Sequence, residues 1–204
     1  MKQLIFDIET IGTESTAVCL EASFLVYDLK RDAHKKLDSL NPVTFKLSVK
    51  DQIDAGRTVC PETKIWWKEQ IKLEPSLAKI VMPSPNDLTM MEFFNALRNY
   101  LREEGYAKND WAWQRGTLDI MVIDSIFKQL DVDRNAFPIK WWDIRDLRTA
   151  IDLYGEGASR GYTPDYKTKI LKELPNFVKH DARYDILLEV FMLREVGLFE
   201  TEPF

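Results

Sequence analysis

Asp7-Ile8-Glu9 ends the short apolar run Gln3-Leu4-Ile5-Phe6 and puts two carboxylates at positions i and i+2. Alternate residues of a strand share a face about 7 Å apart, so both groups can reach one divalent cation. The pair alone is a weak signal, because a D-x-E also arises as a solvated strand end. Asp119 is the second signal. At helical spacing it shares a face with Ile123, Ile126 and Leu130, and an unpaired carboxylate on a core-facing stripe must pair or bind a metal. Its place in a first helical turn also suits a capping or dipole-serving Asp. Asp124 lies on a more polar arc with Lys128 and Asp131 and reads as solvated. The third signal is His180-Asp181-Ala182-Arg183-Tyr184-Asp185, opening a helix that is apolar almost all round. His180 and Asp185 stand about 140° apart on an ideal helix, so they converge only if His180 lies in the preceding loop or a fraying first turn. The other histidine, His34, sits in a polar stretch and reads as part of a solvated turn.

Met at one sheet edge, Asp7, Glu9, Asp119 and Asp185 would repel one another unless divalent cations neutralised them. Oxygen ligands favour Mg²⁺ or Mn²⁺ over zinc. Two such ions about 4 Å apart stabilise both the attacking and the leaving oxygen of a phosphoryl displacement. A neutral imidazole, with an ordinary pKa of about 6.5, can take the proton of the attacking water. The residues point to a nuclease-type site.

Positioning these groups requires strands that end together. Gln3–Asp7 reads as a buried strand emerging at a sheet edge, Ala17–Asp28 as a second strand and Val43–Leu47 as a third. Pro61–Lys72 and Leu88–Arg102 read as helices, with Pro61 suited to a first turn. A short strand at Trp111–Trp113, a helix from Thr117 to Leu130, a strand near Ile139–Trp142 and a helix from Arg145 to Tyr154 follow. Gly155–Asp165, with three glycines and a proline, reads as a loop, and Asp181–Val196 as a last long helix ended by Gly197. Strands first, then strands alternating with helices, define an α/β fold with a mixed sheet.

The 204 residues read as a single domain, 1–204, and 45% hydrophobic with 30% charged excludes a disordered or low-complexity chain. With 28 basic against 33 acidic residues the net charge is −5, so no global positive field draws in nucleic acid and such a partner must be held locally. Cys19 and Cys60 cannot build a disulfide framework or a four-ligand zinc site and read as thiols of a reducing cytoplasm. No apolar run approaches membrane-spanning length, and Asp7 comes too early for a signal peptide, so the expectation is a cytoplasmic protein with no membrane partner.

The three acidic motifs, in this order, resemble the DEDD exonuclease superfamily, the DnaQ-like 3′→5′ exonucleases on a ribonuclease-H-like fold. Phe6-Asp7-Ile8-Glu9-Thr10-Ile11-Gly12 is similar to its first motif, Asp119 within Gly116-Thr117-Leu118-Asp119 to its second, and His180 to Asp185 to its third. Histidine five residues before the last Asp, with Asp181 rather than Tyr four before it, is the DEDDh pattern. Ile65-Trp66-Trp67-Lys68-Glu69-Gln70, Trp113-Gln114-Arg115-Gly116 and Arg145-Asp146-Leu147-Arg148-Thr149 resemble the phage exonuclease A group and its bacterial exoribonuclease relatives. The resemblance implies a five-stranded sheet in the order 3-2-1-4-5 with strand 2 antiparallel. It implies that Asp7, Glu9 and Asp185 hold the metal that activates water, that Asp7 bridges to a second ion near Asp119, and that His180 is the general base. It also implies that Thr10 and Gly12 contact a 3′-terminal nucleotide. The expected reaction removes nucleoside 5′-monophosphates from the 3′ end of a single strand, with two Mg²⁺ or Mn²⁺ ions, DNA being put slightly ahead of RNA. An exoribonuclease and a catalytically silent binding module of the same fold are the alternatives. Relatives are often dimers, which leaves a homodimer open.

Substrate contacts are read more loosely. Trp66 and Trp67 are about 100° apart on a helix, so one belongs to the core and the other is free to stack on a base. Gln70 can share a face with either. Arg115 follows a strand and either touches a phosphate or is solvated. Arg145 and Arg148 read as structural, and Lys167, Lys169 and Lys172 as a solvated face.

Overall fold

The computed structural model describes residues 2–107, 110–132 and 139–199. Strands β1 (Lys2–Thr10), β2 (Cys19–Asp28), β3 (Val43–Lys46), β4 (Trp111–Gln114) and β5 (Ile144–Asp146) form one sheet in the order β3-β2-β1-β4-β5. β2 runs antiparallel to both β1 and β3, while β4 is parallel to β1 and β5 parallel to β4. This is the mixed sheet and the order that the resemblance implied.

Helices α1 (Leu29–Asp32), α2 (Val49–Asp54), α3 (Pro61–Leu73), α4 (Ala78–Val81) and α5 (Met90–Glu103) precede β4. Helices α6 (Leu118–Gln129), α7 (Leu147–Tyr154), α8 (Tyr166–Glu173) and α9 (Ala182–Glu195) follow it. Strand alternation divides β1 between two cores. Leu4, Phe6 and Ile8 pack with Phe24 and Val26 beneath α5 and α6, against Phe93, Leu97, Val122 and Ile126. Ile5 faces the other way, toward Leu147 and Ile151 of α7 and Ile186, Val190 and Leu193 of α9. By the same parity Asp7 and Glu9 lie on the α9 face of the sheet. A third cluster holds Trp67 of α3 with Ile11, Val18, Leu20, Leu77 and Ile80.

Local chemistry sets the boundaries. Pro61 occupies the first turn of α3, where a missing N–H costs nothing. Thr89 and Glu92 cap α5 reciprocally. After α9, Gly197 takes φ +77° and the Leu198 N–H returns to the Leu193 carbonyl, which stops the helix. The expected strand near Ile139–Trp142 is displaced. Trp141–Asp143 form a 3₁₀ turn, and Ile144–Asp146 pair with Ala112–Gln114 instead. An apolar Trp pair mimicked a strand, yet Trp141 is 78% exposed and its ring rests edge-on against Trp142. Helices α2 and α8 were not expected; α8 incorporates the Lys167–Lys172 charge run. No helix among the described residues is long and apolar enough to cross a membrane.

Candidate active site

Parallel β1 and β4 bring their C-terminal ends to the same edge, and α9 crosses the face that carries Asp7 and Glu9. A cavity of about 570 Å³ opens there, lined by Asp7, Glu9, Asp119, His180 and Asp185 together with Arg115, Arg148 and Glu189. The four acids and the histidine of the sequence motifs therefore share one concavity.

Asp119 reaches this edge from the first turn of α6. That turn is not capped by Thr117; the Gln114 side chain accepts the Ile120 N–H at 2.9 Å instead. Asp119 is consequently free of capping duty. It is 6% exposed, and its Oδ2 accepts no hydrogen bond among the described residues. Ile123 and Ile126 on its face are buried, as the spacing implied. Asp124 is half-buried and paired with Lys128.

The angular problem between His180 and Asp185 is solved by the backbone. Asp181 is the N-cap of α9, its carboxylate accepting the Arg183 N–H, and Lys79 pairs with it at 2.7 Å. His180 thus precedes the helix, in a left-handed conformation with φ +65°, which a residue with a Cβ adopts only when surroundings hold it there. The Asp185 Oδ2 accepts the His180 N–H at 3.0 Å. Donor atoms of Glu9, His180 and Asp185 lie within 4.8 Å of one another. The Trp66 ring meets the imidazole edge-on, centroids 4.8 Å apart.

Burial dominates the electrostatics. It pushes Asp119 up to about 7, with Arg148 and Arg115 opposing, and Asp185 up to about 7, with the His180 N–H opposing. Asp7 and Glu9 are raised well above the ordinary carboxylate range, first by burial and then by neighbouring carboxylates. Glu189 is raised too, by burial, with Arg115 pulling it back. Burial, with Lys179 adding to it, lowers His180 to about 4, so the imidazole is neutral at pH 7. Carboxylates this buried are costly unless cations reach them.

The remaining expected contacts divide. Trp67 is not a stacking platform: it is 2% exposed and its Nε1 donates to the Thr10 carbonyl at 2.9 Å. It faces the core because its side of α3 packs on Ile11, Val18 and Leu20. Half-buried Trp66 keeps the position beside His180. Thr10 donates its hydroxyl to the Gly12 carbonyl at 2.6 Å, and Gly12 is packed so that a Cβ would come within 3.0 Å of Ala17. Neither of these two, nor Gln70, lines the cavity. Arg115 is not solvated. Its side chain donates to the Gly161 carbonyl at 2.9 Å, lies over the Tyr162 ring at 4.4 Å and approaches Glu189 at 3.6 Å. Arg145 is structural, donating to the Trp142 and Ile144 carbonyls and lying over Trp111. Arg148 and Lys167, by contrast, line the cavity.

Sequence reasoning missed Glu189, Arg148 and the stacked pair Tyr162 and Tyr166 on the cavity wall. Glu189 left a signal: it is the charged residue one turn beyond Asp185 on an apolar helix. Cys19 and Cys60 are free thiols, and neither lines the cavity.

Solved structures similar in fold include E. coli exonuclease I in complex with a 5cy-dA13 oligonucleotide, at TM-score 0.56 and 13% identity, covering 97% of this chain and 42% of that one. A moderately thermophilic exonuclease I from Methylocaldum szegediense matches at TM-score 0.57 and 14% identity, with 97% and 42% covered. The zinc-bound E. coli exonuclease I–single-stranded DNA complex matches at TM-score 0.56 and 14% identity, with 97% and 40% covered. At such identity the likeness is one of fold, and this chain spans under half the length of those enzymes. No curated protein matches the sequence at the significance applied. Residues 2–195 do match a family profile, and it lies on the exoribonuclease side of the two groups that the sequence resembles. With a DEDDh acid set gathered at one sheet edge and that profile running along nearly its whole length, the chain belongs to the 3′-5′ exoribonuclease Rv2179c-like domain family.

Proposed function

We propose that this chain is a 3′→5′ exonuclease that hydrolyses the terminal phosphodiester bond of single-stranded nucleic acid and releases nucleoside 5′-monophosphates, with RNA ahead of DNA. The observation that carries the reading is the convergence of Asp7, Glu9, Asp119, Asp185 and His180 on one cavity, with an Asp119 oxygen that has no partner among the described residues. The family's description as an exoribonuclease domain favours RNA, while the exonuclease I relatives in fold are seen with DNA. Membership thus reverses the slight lean to DNA taken from sequence.

Two divalent cations suit the residues present. The donors are mostly carboxylate oxygens, those of Glu9 and Asp119 buried and those of Asp7 and Asp185 half-buried, and Glu9, His180 and Asp185 already gather donor atoms within 4.8 Å of one another. Asp7, Glu9 and Asp185 would hold one ion, with Asp7 and Asp119 at the second. When bound, such ions supply charge neutralisation and a more acidic water. The chain's own groups do the rest. The imidazole of His180, neutral at pH 7, accepts a proton from the water whose oxygen bonds to phosphorus; as the P–O3′ bond breaks, the departing 3′-oxygen takes a proton from solvent and His180 returns its own to solvent. Its orientation is supported by the left-handed backbone of His180, whose main-chain N–H donates to the Asp185 carboxylate, and by the Trp66 ring. In this reading Arg148, an exposed residue of the cavity lining, meets a phosphate, and Trp66, beside the His180 ring but outside the lining, stacks on the terminal base.

Matched 5′-labelled single-stranded RNA and DNA, with Mg²⁺, Mn²⁺ or EDTA, compared between wild type and Asp7→Ala, test the proposal. A metal-dependent ladder shortening from the 3′ end, faster on RNA and absent in the variant, is expected. No ladder on either strand despite bound metal would replace the enzyme with a binding module.

A further inference from the structure

Helix α9 carries a second carboxylate into the cavity. Glu189 lies four residues beyond Asp185, on the same helical face, and is 2% exposed. Its Oε1 approaches the Arg115 Nε at 3.6 Å, beyond good hydrogen-bond range. Its Oε2 accepts no hydrogen bond among the described residues. Arginine–carboxylate pairs frequently take a paired fork of two short N–H bonds. Arg115 instead gives one arm to the Gly161 carbonyl and lays its plane over Tyr162. Glu189 is therefore oriented by Arg115 without being satisfied by it.

Asp119 Oδ2 is a second unpartnered oxygen in the same cavity, and Asp7 lies within electrostatic reach of both residues. Glu9, His180 and Asp185 gather their ligand atoms within 4.8 Å of one another, a group to which neither Asp119 nor Glu189 belongs. Glu21, opposite Glu9 on the β1–β2 ladder, also has an unpartnered buried oxygen, yet it does not line the cavity.

We infer that Glu189 is a fifth carboxylate of the metal centre, its free Oε2 joining the free Oδ2 of Asp119 in holding the second divalent cation. The inference rests on the two-cation reading above. In it, Arg115 is a positioning residue that sets the Glu189 rotamer and, through Gly161 and Tyr162, ties that setting to the wall of the cavity.

Calorimetric titration of the full chain with Mn²⁺, without nucleic acid, tests this directly. Wild type should bind two ions. Glu189→Gln should keep the tighter ion and bind the second about tenfold or more weakly, with a melting curve showing a folded protein. Glu189→Asp keeps the charge but withdraws the oxygen by one methylene, and it too should weaken the second ion; it carries the test if the Gln variant does not fold. Two ions bound as tightly by Glu189→Asp as by wild type would overturn the inference, leaving Glu189 as a charge beside Arg115. Fewer than two ions on wild type would overturn the two-cation reading and this inference with it.

Discussion

Asp119→Asn should make the metal-free protein more stable at neutral pH. In the folded protein burial raises Asp119 from 3.8 to about 7. The sign is opposite to that of a salt-bridged aspartate. Below the unfolded pKa the group is neutral in both states and costs nothing. Between the unfolded and folded values the unfolded chain releases a proton that the native state keeps, so stability falls as pH rises; above about 7 the loss is complete. At about 1.36 kcal/mol for each tenfold change in proton affinity, the full cost is about 4 kcal/mol at pH 8 and less than half of that at pH 5. The asparagine does not ionise, so the variant recovers that amount. For a chain of this size about 2–4 °C accompanies each kcal/mol, giving a rise of roughly 8–16 °C in Tm at pH 8 and a much smaller one at pH 5. Differential scanning calorimetry in EDTA at pH 5, 6, 7 and 8 reads this directly. With saturating Mn²⁺ the order should reverse, because only the wild type gains the full binding free energy. An asparagine variant that melts at or below wild type in EDTA at pH 8 would refute the electrostatic strain assigned to the cavity.

Other outcomes follow from particular contacts. His180→Ala should lower kcat about 10²–10⁴-fold in a nuclease assay while leaving the melting curve close to that of wild type. In wild type the imidazole, with its pKa at about 4, should not itself limit the rate above pH 5, so an acid limb at higher pH would belong to the carboxylates and should move with metal concentration. Trp67→Phe removes the donor to the Thr10 carbonyl and should cost about 1–3 kcal/mol in urea unfolding, since a partly buried acceptor loses its partner. Gly161→Ala would set a Cβ 2.6 Å from the Arg148 Cα at φ +74° and displace the carbonyl that holds Arg115. It should destabilise by about 1–3 kcal/mol and reduce kcat, whereas equal activity in a normally folded variant would detach that loop from the site.

The chemistry was legible because it is written in residue types that have few other reasons to be where they are. Asp7 and Glu9 close an apolar run, Asp119 interrupts a core stripe, and His180 stands five before Asp185, so each could be picked out within its own element. The sheet order came from the resemblance rather than from periodicity, and the strand assigned near Ile139–Trp142 shows why. Two tryptophans look like a buried strand, but their exposure depends on what the neighbouring chain covers. Trp66 and Trp67 could be divided between core and surface by their 100° separation, but not assigned. The packing of α3 against Ile11, Val18 and Leu20 made that choice. Glu189 and Arg148 were passed over for a related reason: on its own helix each reads as an ordinary charged residue. They acquire a place in the site only because the fold brings both to the lining of one cavity. A side chain's type and spacing are local properties, available from the chain alone. Its burial, its partners and therefore its proton affinity depend on groups far away in sequence, and only the folded arrangement brings those together.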